Sequence, residues 1–268
     1  EMCIRDRWGC AVATLDEAIV LRRGGVTKPI LVLGCIFPEQ WIDALENNIR
    51  ITVYTEELTK VLSDLAVKIG RKAYVHVKLD TGMGRIGFTP GKEGADKIEE
   101  ISKLPNIVME GLYTHFSKAD EGDKSYTMKQ MEAYTWMKEE LTGRGITFSY
   151  YHCCNSAGII DLKGAGQNLS RAGISTYGMY PSEEVHKENV DLKPALELIS
   201  HVAFVKWVDE GKMISYGGTY VTKRRTKIAT IPVGYGDGYP RSLSNKGYML
   251  IHGKKAPIIG RVCMDQCM

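Results

Sequence analysis

The chain has 268 residues, 44% of them hydrophobic and 25% charged, with a formal net charge of +3. That is enough for one large domain, or one large and one small, of ordinary globular composition. The small, dispersed charge gives no footprint for nucleic acid or an anionic membrane, and no apolar run approaches the ~20 residues of a membrane span.

The opening "EMCIRDR" (1–7) carries charges where a secretory signal needs an apolar core, and it leads into no pattern. It reads as a foreign or damaged end, and the interpretable sequence starts at Trp8. "CAVAT" (10–14) reads as a strand, followed by a helix in "LDEAIVLRRGG" that stops on glycines. "PILVLGCI" (29–36) is an apolar strand, and "PEQWIDALENN" (38–48) a helix. The strand "ITVYT" (51–55) precedes a helix in "EELTKVLSDLAVKIGR" (56–71). In "AYVHVKLD" (73–80), Val75, Val77 and Leu79 alternate with Tyr74, His76, Lys78 and Asp80, the period of two that marks a strand. A helix in "GKEGADKIEEISKL" (91–104) leads to the strand "IVMEGLYTHF" (107–116). The long helix "DKSYTMKQMEAYTWMKEELTGRG" (123–145) then leads to "ITFSYYHCCNS" (146–156), and "NLSRAGIST" (168–176) ends the series as a last strand.

Alternating strands and helices imply a parallel sheet with crossover helices. Seven starts are visible, one short of a (β/α)₈ TIM-type barrel, so the reading is a barrel over 1–192 lacking its first strand. A doubly wound open sheet is the competing architecture, disfavoured because no GxGxxG follows an early strand. From about residue 193 short strands alternate with glycine turns in "LISHVAFVKWV", "GKMISYGGTYV", "TKIATIPVGYGDGY" and "GYMLIHGKKAPIIG". They describe a C-terminal β domain (193–268) that stops in mid-pattern. The basic "VTKRRTK" (221–227) reads as a solvated hairpin. The seven cysteines form no repeated CxxC pairing, which suggests free thiols in a reducing, cytoplasmic setting. Cys153 and Cys154 beside His152 lack the further ligands of a metal site.

In a barrel, chemistry sits at the C-terminal ends of strands, with phosphate bound after the last two. Lys78, Asp80 and Arg85, then Thr114 and His115, then His152, Asn155 and Ser156, then Arg171, Gly173 and Ile174 occupy those ends. Asn155, Ser156, Gly173 and Ile174 fall where a phosphate would lie.

The segments "VKLDTGMGRIG", "LYTHFSKAD", "HCCNSAG", "SRAGISTYGMYPS", "SYGGTY", "VGYGDGY" and "GRVCMDQ" resemble the alanine racemase family, in order, from Trp8 onward. The resemblance implies a pyridoxal-5′-phosphate (PLP) barrel with a C-terminal β domain. It also implies a head-to-tail homodimer whose sites combine both subunits, and production of D-alanine for bacterial peptidoglycan. Racemisation needs a base on each face of Cα, and Tyr216 matches the family's tyrosine base, supplied by the partner. His115 matches its hydrogen-bonding neighbour, and His152 and Arg171 the groups beneath the pyridine ring. Arg171 would donate to a neutral ring nitrogen, where a decarboxylase of basic amino acids would present a carboxylate. Arg85 matches the arginine that orients the substrate carboxylate. In many members the lysine matching Lys78 is carbamylated; the bland alternatives are a lysine reaching solvent, or neutralisation by Asp80. Met264, with Cys263 and Asp265, matches a substrate-facing segment that could equally be a plain turn. Tyr235 resembles a tyrosine at the mouth of the site, or else an interface aromatic. His76 and Tyr74 read as barrel filler. The family's Schiff-base lysine has no counterpart among these motifs, so the chain as written is expected to be inactive. Serine racemases and noncatalytic PLP-binding barrels are the nearest alternatives.

Overall fold

The computed structural model describes residues 7–162, 165 and 168–268; the charged opening over 1–6 lies outside them. The chain divides into two units, one running to Ala195 and one from Leu196 to Met268.

The first unit carries six parallel strands paired in chain order: β1 (Cys10–Val12), β2 (Ile30–Val32), β3 (Arg50–Val53), β4 (Ala73–Lys78), β5 (Ile107–Tyr113) and β6 (Tyr150–His152). An order without reversal is that of a barrel wall, and it excludes the doubly wound sheet, whose order switches direction. The strands form a half-barrel of the TIM type. The crossovers are α1 (Leu15–Arg23), α2 (Trp41–Glu46), α3 (Glu56–Lys68), α4 (Lys92–Ser102) and α5 (Ser125–Gly143), and α6 (Ser156–Asp161) follows β6. Local chemistry fixes where they start. Thr14 and Glu17 form a reciprocal capping box on α1, Thr55 caps α3, and Asn155 Oδ1 accepts the Gly158 N–H to cap α6.

Period two sorts each strand into an apolar row facing the helices and a polar row facing inward. Ile51, Val53, Val75, Val77, Leu79 and Leu112 share one buried core with Leu62, Ile98 and Leu141 of the helices. The opposite parity supplies Arg50 and Thr52 from β3, His76 and Lys78 from β4, Gly111 and Tyr113 from β5, and His152 from β6. Thr52 makes this inner face self-consistent, donating to Val32 O at 2.7 Å and meeting the Tyr113 hydroxyl at 2.8 Å.

The strand expected over 168–176 is absent. The segment makes two backbone bonds toward β6, from Leu169 N to Tyr151 O and from Arg171 N to Cys154 O, then coils into a 3₁₀ turn at Ile174–Tyr177. The reason is side-chain competition. Ser156 Oγ accepts the N–H groups of Gly173 and Ser175 at 3.0 and 3.2 Å, so these donors serve a side chain and not a ladder.

The second unit is built of antiparallel pairs: β7 (Phe204–Val208) with β10 (Thr226–Thr230), β8 (Met213–Ile214) with β9 (Tyr220–Val221), and β11 (Tyr248–Ile251) with β12 (Lys254–Pro257). Ile231, Val233, Ile258, Val262 and Cys267 form its main core. In the basic hairpin Lys223, Arg224 and Arg225 are exposed, and Arg225 lies over the Trp207 ring at 5.4 Å. No helix among the described residues is long and apolar enough to cross a membrane.

Candidate active site

Arg171 organises the C-terminal ends of β5 and β6. Its guanidinium donates to the carbonyls of Thr114 (2.7 Å), Cys153 (3.0 Å) and His152 (3.1 Å), all at or just past strand ends, the last of which also accepts the Thr114 N–H at 3.3 Å. It also donates to His152 Nδ1 at 2.5 Å and approaches His115 Nδ1 at 3.4 Å. The Tyr113 ring lies below it, 5.3 Å from ring centre to guanidinium carbon, and stacks on His152 at 4.7 Å. One donor is left over: Arg171 Nε is buried and has no hydrogen-bond partner. A buried donor without an acceptor is costly, so it marks a place that an acceptor would fill.

Arg171 also lines a cavity of about 460 Å³, together with His115, Asn155, Ser156, Gly173 and Ile174. These positions, far apart in the sequence, are therefore brought together. A larger cavity of about 970 Å³ shares His115, Ala11 and Leu33 with it and adds Lys78, Arg85 and Tyr113. The N–H groups in the first turn of α6 have no intrahelical acceptor, and Gly173 and Ile174 bring more backbone alongside. Two of these donors already have side-chain acceptors: Gly158 N–H bonds Asn155 Oδ1 and Gly173 N–H bonds Ser156 Oγ, both at 3.0 Å.

The electrostatics of this wall are set by burial and by two arginines. His115 is pushed down to about 3 by burial, then by the charges of Arg171, Arg85 and Lys78, so it is neutral at ordinary pH. Burial likewise drives His152 well below the usual histidine range, with Arg171, His76 and Lys78 adding to it. Lys78 is 2% exposed, which removes the alternative of a lysine reaching solvent. Its ammonium donates to Leu79 O at 2.6 Å and sits 5.5 Å from the Tyr113 ring centre. Burial lowers it to about 8, against the pull of Asp80 and with the push of Arg171 and Arg85. Asp80 both pulls on the Lys78 ammonium and folds the next turn. Its Oδ1 accepts the N–H groups of Gly82, Met83 and Gly84 at 3.1, 2.9 and 3.0 Å, folding the turn that carries Arg85.

A second cluster lies within the β unit. Tyr216, Tyr235, Cys263, Met264 and Asp265 line a cavity of about 590 Å³. Ser215, in the left-handed region at φ 62°, turns the chain into the 3₁₀ turn of Tyr216 and leaves that ring 69% exposed. Strain of that kind needs support, and Ser215 Oγ supplies it by donating to Arg261 O at 2.6 Å. Residues 263–266 do form a tight turn, closed by Cys263 N on Gln266 O at 2.8 Å. Tyr235 N donates to Cys263 O at 3.0 Å and Gly236 N to Met264 O at 2.8 Å, which locks the two segments together. Gly234 is required there: a Cβ would lie 2.2 Å from Met264 O.

Two inner-face residues escaped the sequence reading. Tyr113 falls in the strand expected over 107–116 with no role assigned to it, and His76 reads as filler, yet His76 Nδ1 lies 2.9 Å from His152 Nε2. A signal for the second existed in Gly111, since a glycine inside a strand marks a close approach.

Comparison with known proteins gives consistent matches. Residues 5–181 match the family model described as alanine racemase, N-terminal domain, and residues 195–268 the model for its C-terminal domain. The chain is 50% identical over 258 residues to the alanine racemase of Desulforamulus reducens, covering 96% of this chain and 70% of that protein. It is 51% identical over 259 residues to that of Clostridium perfringens, covering 96% and 67%. The solved alanine racemase of Clostridium difficile superposes with a TM-score of 0.88 at 43% identity, over 96% of this chain and 67% of that one.

Proposed function

This chain belongs to the alanine racemase family, and from that premise we propose that it serves the interconversion of L- and D-alanine by two-base proton transfer with PLP. The observation that carries the cofactor is the buried, partnerless Arg171 Nε–H: a neutral pyridine nitrogen is the kind of acceptor it lacks. Asn155, Ser156, Gly173 and Ile174 would hold the phosphate.

Bound PLP supplies an electron sink for the pair left when the Cα proton departs. Arg171 would donate to the ring nitrogen of the bound cofactor but has no proton to surrender, so it would temper that sink and limit side reactions. Tyr216 moves a proton at one face of Cα through its phenolic oxygen. A phenol ionises near pH 10 unaided, so His115, held neutral, serves as its hydrogen-bonding partner. Arg85 orients the substrate carboxylate. Lys78, lowered to about 8, offers about a tenth of its population as free amine at pH 7. Free amine attacks CO₂, forming an N–C bond and releasing a proton, and the resulting carbamate anion would neutralise Arg85. Met264 and Tyr235 border the substrate and restrict its size.

The reading assigns Tyr216, Tyr235 and Met264 to the site of a second copy, in a head-to-tail homodimer that completes both sites at once. The barrel domain is taken as 1–192 and the β domain as 193–268. Cytoplasmic supply of D-alanine to peptidoglycan is the biological role that goes with it.

The test is a titration of the chain with PLP, followed by quenching of tryptophan fluorescence. Saturable binding is expected, displaced by inorganic phosphate and weakened about a hundredfold by Ser156→Asp, which sets a carboxylate against the phosphate. Absence of saturable binding, or indifference to Ser156→Asp, would overturn the reading.

A further inference from the structure

The contacts of Arg171 do not stop at His152. His152 Nε2 meets His76 Nδ1 at 2.9 Å, and His76 Nε2 lies 3.4 Å from the carboxylate of Glu110. Arg50 holds that carboxylate at 3.1 Å. The line runs through the half-barrel interior from the end of β6 to the middle of β5, and both histidine rings are buried.

Two backbone features let it cross β5. Gly111 lies opposite His76 in the ladder, and a Cβ there would stand 2.3 Å from His76 Nδ1, so the imidazole passes where any other residue would block it. The register also slips between Val75 and His76. Such a bulge re-aims a side chain, and here it brings Glu110 to the inner face. The Trp8 ring closes over His76, 5.5 Å between centres.

The donors and acceptors permit one direction. A guanidinium only donates, so His152 Nδ1 must accept; its proton is then on Nε2 and goes to His76 Nδ1. By the same logic His76 keeps its proton on Nε2 and gives it to Glu110, which only accepts when ionised. We propose that Arg171, His152, His76 and Glu110 form a one-way hydrogen-bond chain in which His76 and Glu110 are positioning residues, fixing the Arg171 guanidinium in the pose that leaves its Nε–H without a partner. What this does to a bound cofactor rests on the proposed function; the chain itself does not.

The charges around the line agree with this direction. His76 is lowered by burial, against the pull of Glu110 and with the push of Arg50 and Arg171; Lys78, one turn of the pleat away, adds its charge at His152. Burial pushes Glu110 up, but the bonds from His76 and Arg50 outweigh it and keep the carboxyl below its usual range. Protonating either ring would set two donors against each other.

The experiment uses the chain without cofactor, labelled with nitrogen-15 at histidine and arginine. His76 and His152 should both be neutral with the proton on Nε2, and their shifts flat from about pH 5 to 8, where an ordinary histidine titrates. A proton on Nδ1 of either ring, or titration in that range, would overturn the proposal without any variant. The second readout is exchange of the Arg171 Nε–H with solvent. His76→Phe and Glu110→Leu should speed it about tenfold, and Glu110→Gln, which keeps a carbonyl acceptor, should restore it. Unchanged exchange in both truncating variants would also overturn the proposal. If these results hold and PLP does not bind, the proposed function fails and the hydrogen-bond chain stands.

Discussion

Lys78→Met isolates the electrostatic cost at the centre of the site. The lysine is 2% exposed, bonded to one carbonyl, and lowered from its ordinary 10.5 to about 8. At about 1.4 kcal/mol per pK unit, the fold withholds roughly 3 kcal/mol from the charged form. Methionine fills a similar volume without a charge and forfeits the charge-assisted bond to Leu79 O, worth about 1.5 kcal/mol. Net stabilisation of about 1–2 kcal/mol is therefore expected at pH 7 in buffer freed of CO₂. The pH dependence has a defined sign. Between about 8 and 10.5 the unfolded chain binds the proton that the folded one has released, so wild-type stability rises with pH and the advantage of the variant disappears. Urea unfolding of both proteins at pH 7 and pH 10, followed through the buried Trp41, measures this directly. Added bicarbonate should stabilise the wild type alone, because a carbamate on Lys78 can pair with Arg85. A Lys78→Met protein that is less stable than wild type at pH 7 without CO₂ would refute the picture of an uncompensated buried cation.

The remaining predictions concern the other histidines, the β unit and the tyrosine. Because His76, His115 and His152 are all lowered in the fold, the unfolded chain takes up protons first as pH falls below about 6.5. The barrel should lose stability from that point, and an acid unfolding curve flat down to pH 4 would contradict it. Gly234→Ala would press a Cβ to 2.2 Å from Met264 O, and should destabilise the β unit by about 1–3 kcal/mol in thermal unfolding. Because no motif of the chain matches the lysine that carries PLP, the tyrosine is tested on the hydrogen–deuterium exchange at the Cα of alanine that the chain with PLP gives above PLP alone. Tyr216→Phe should abolish that increment, as removal of a general base does, and an increment unchanged by the substitution would remove Tyr216 from the chemistry.

The period-two alternation of 73–80 was legible because burying one face of a strand forces it, and it correctly set Lys78 and His76 on the inner row. The convergence of Asn155, Ser156, Arg171 and Gly173 was legible too, since a barrel gathers its strand ends. Three things were not. The segment 168–176 reads as a strand because it completes the alternating series, and nothing local shows that Ser156 captures its N–H groups. Asp80 reads as a counter-charge for Lys78 and does pull on it, but its second task, accepting three backbone donors of the following turn at Oδ1, has no local signal. The link from His76 to His152 depends on a bulge and on the missing Cβ of Gly111, and register of that kind is a property of two strands at once. For the β unit, the turn chemistry around Gly234 and Ser215 follows from contacts that no single segment encodes.

Arg171 and its partnerless Nε–H carry the whole account, and the nitrogen it is held to face can be observed. PLP labelled with nitrogen-15 in the pyridine ring, added to the chain near pH 7, should give a bound signal typical of an unprotonated ring nitrogen accepting a hydrogen bond. Arg171→Gln should weaken binding or shift that signal. A bound signal typical of a protonated pyridinium, or a signal indifferent to Arg171→Gln, would contradict the role assigned to Arg171 and with it the cofactor site.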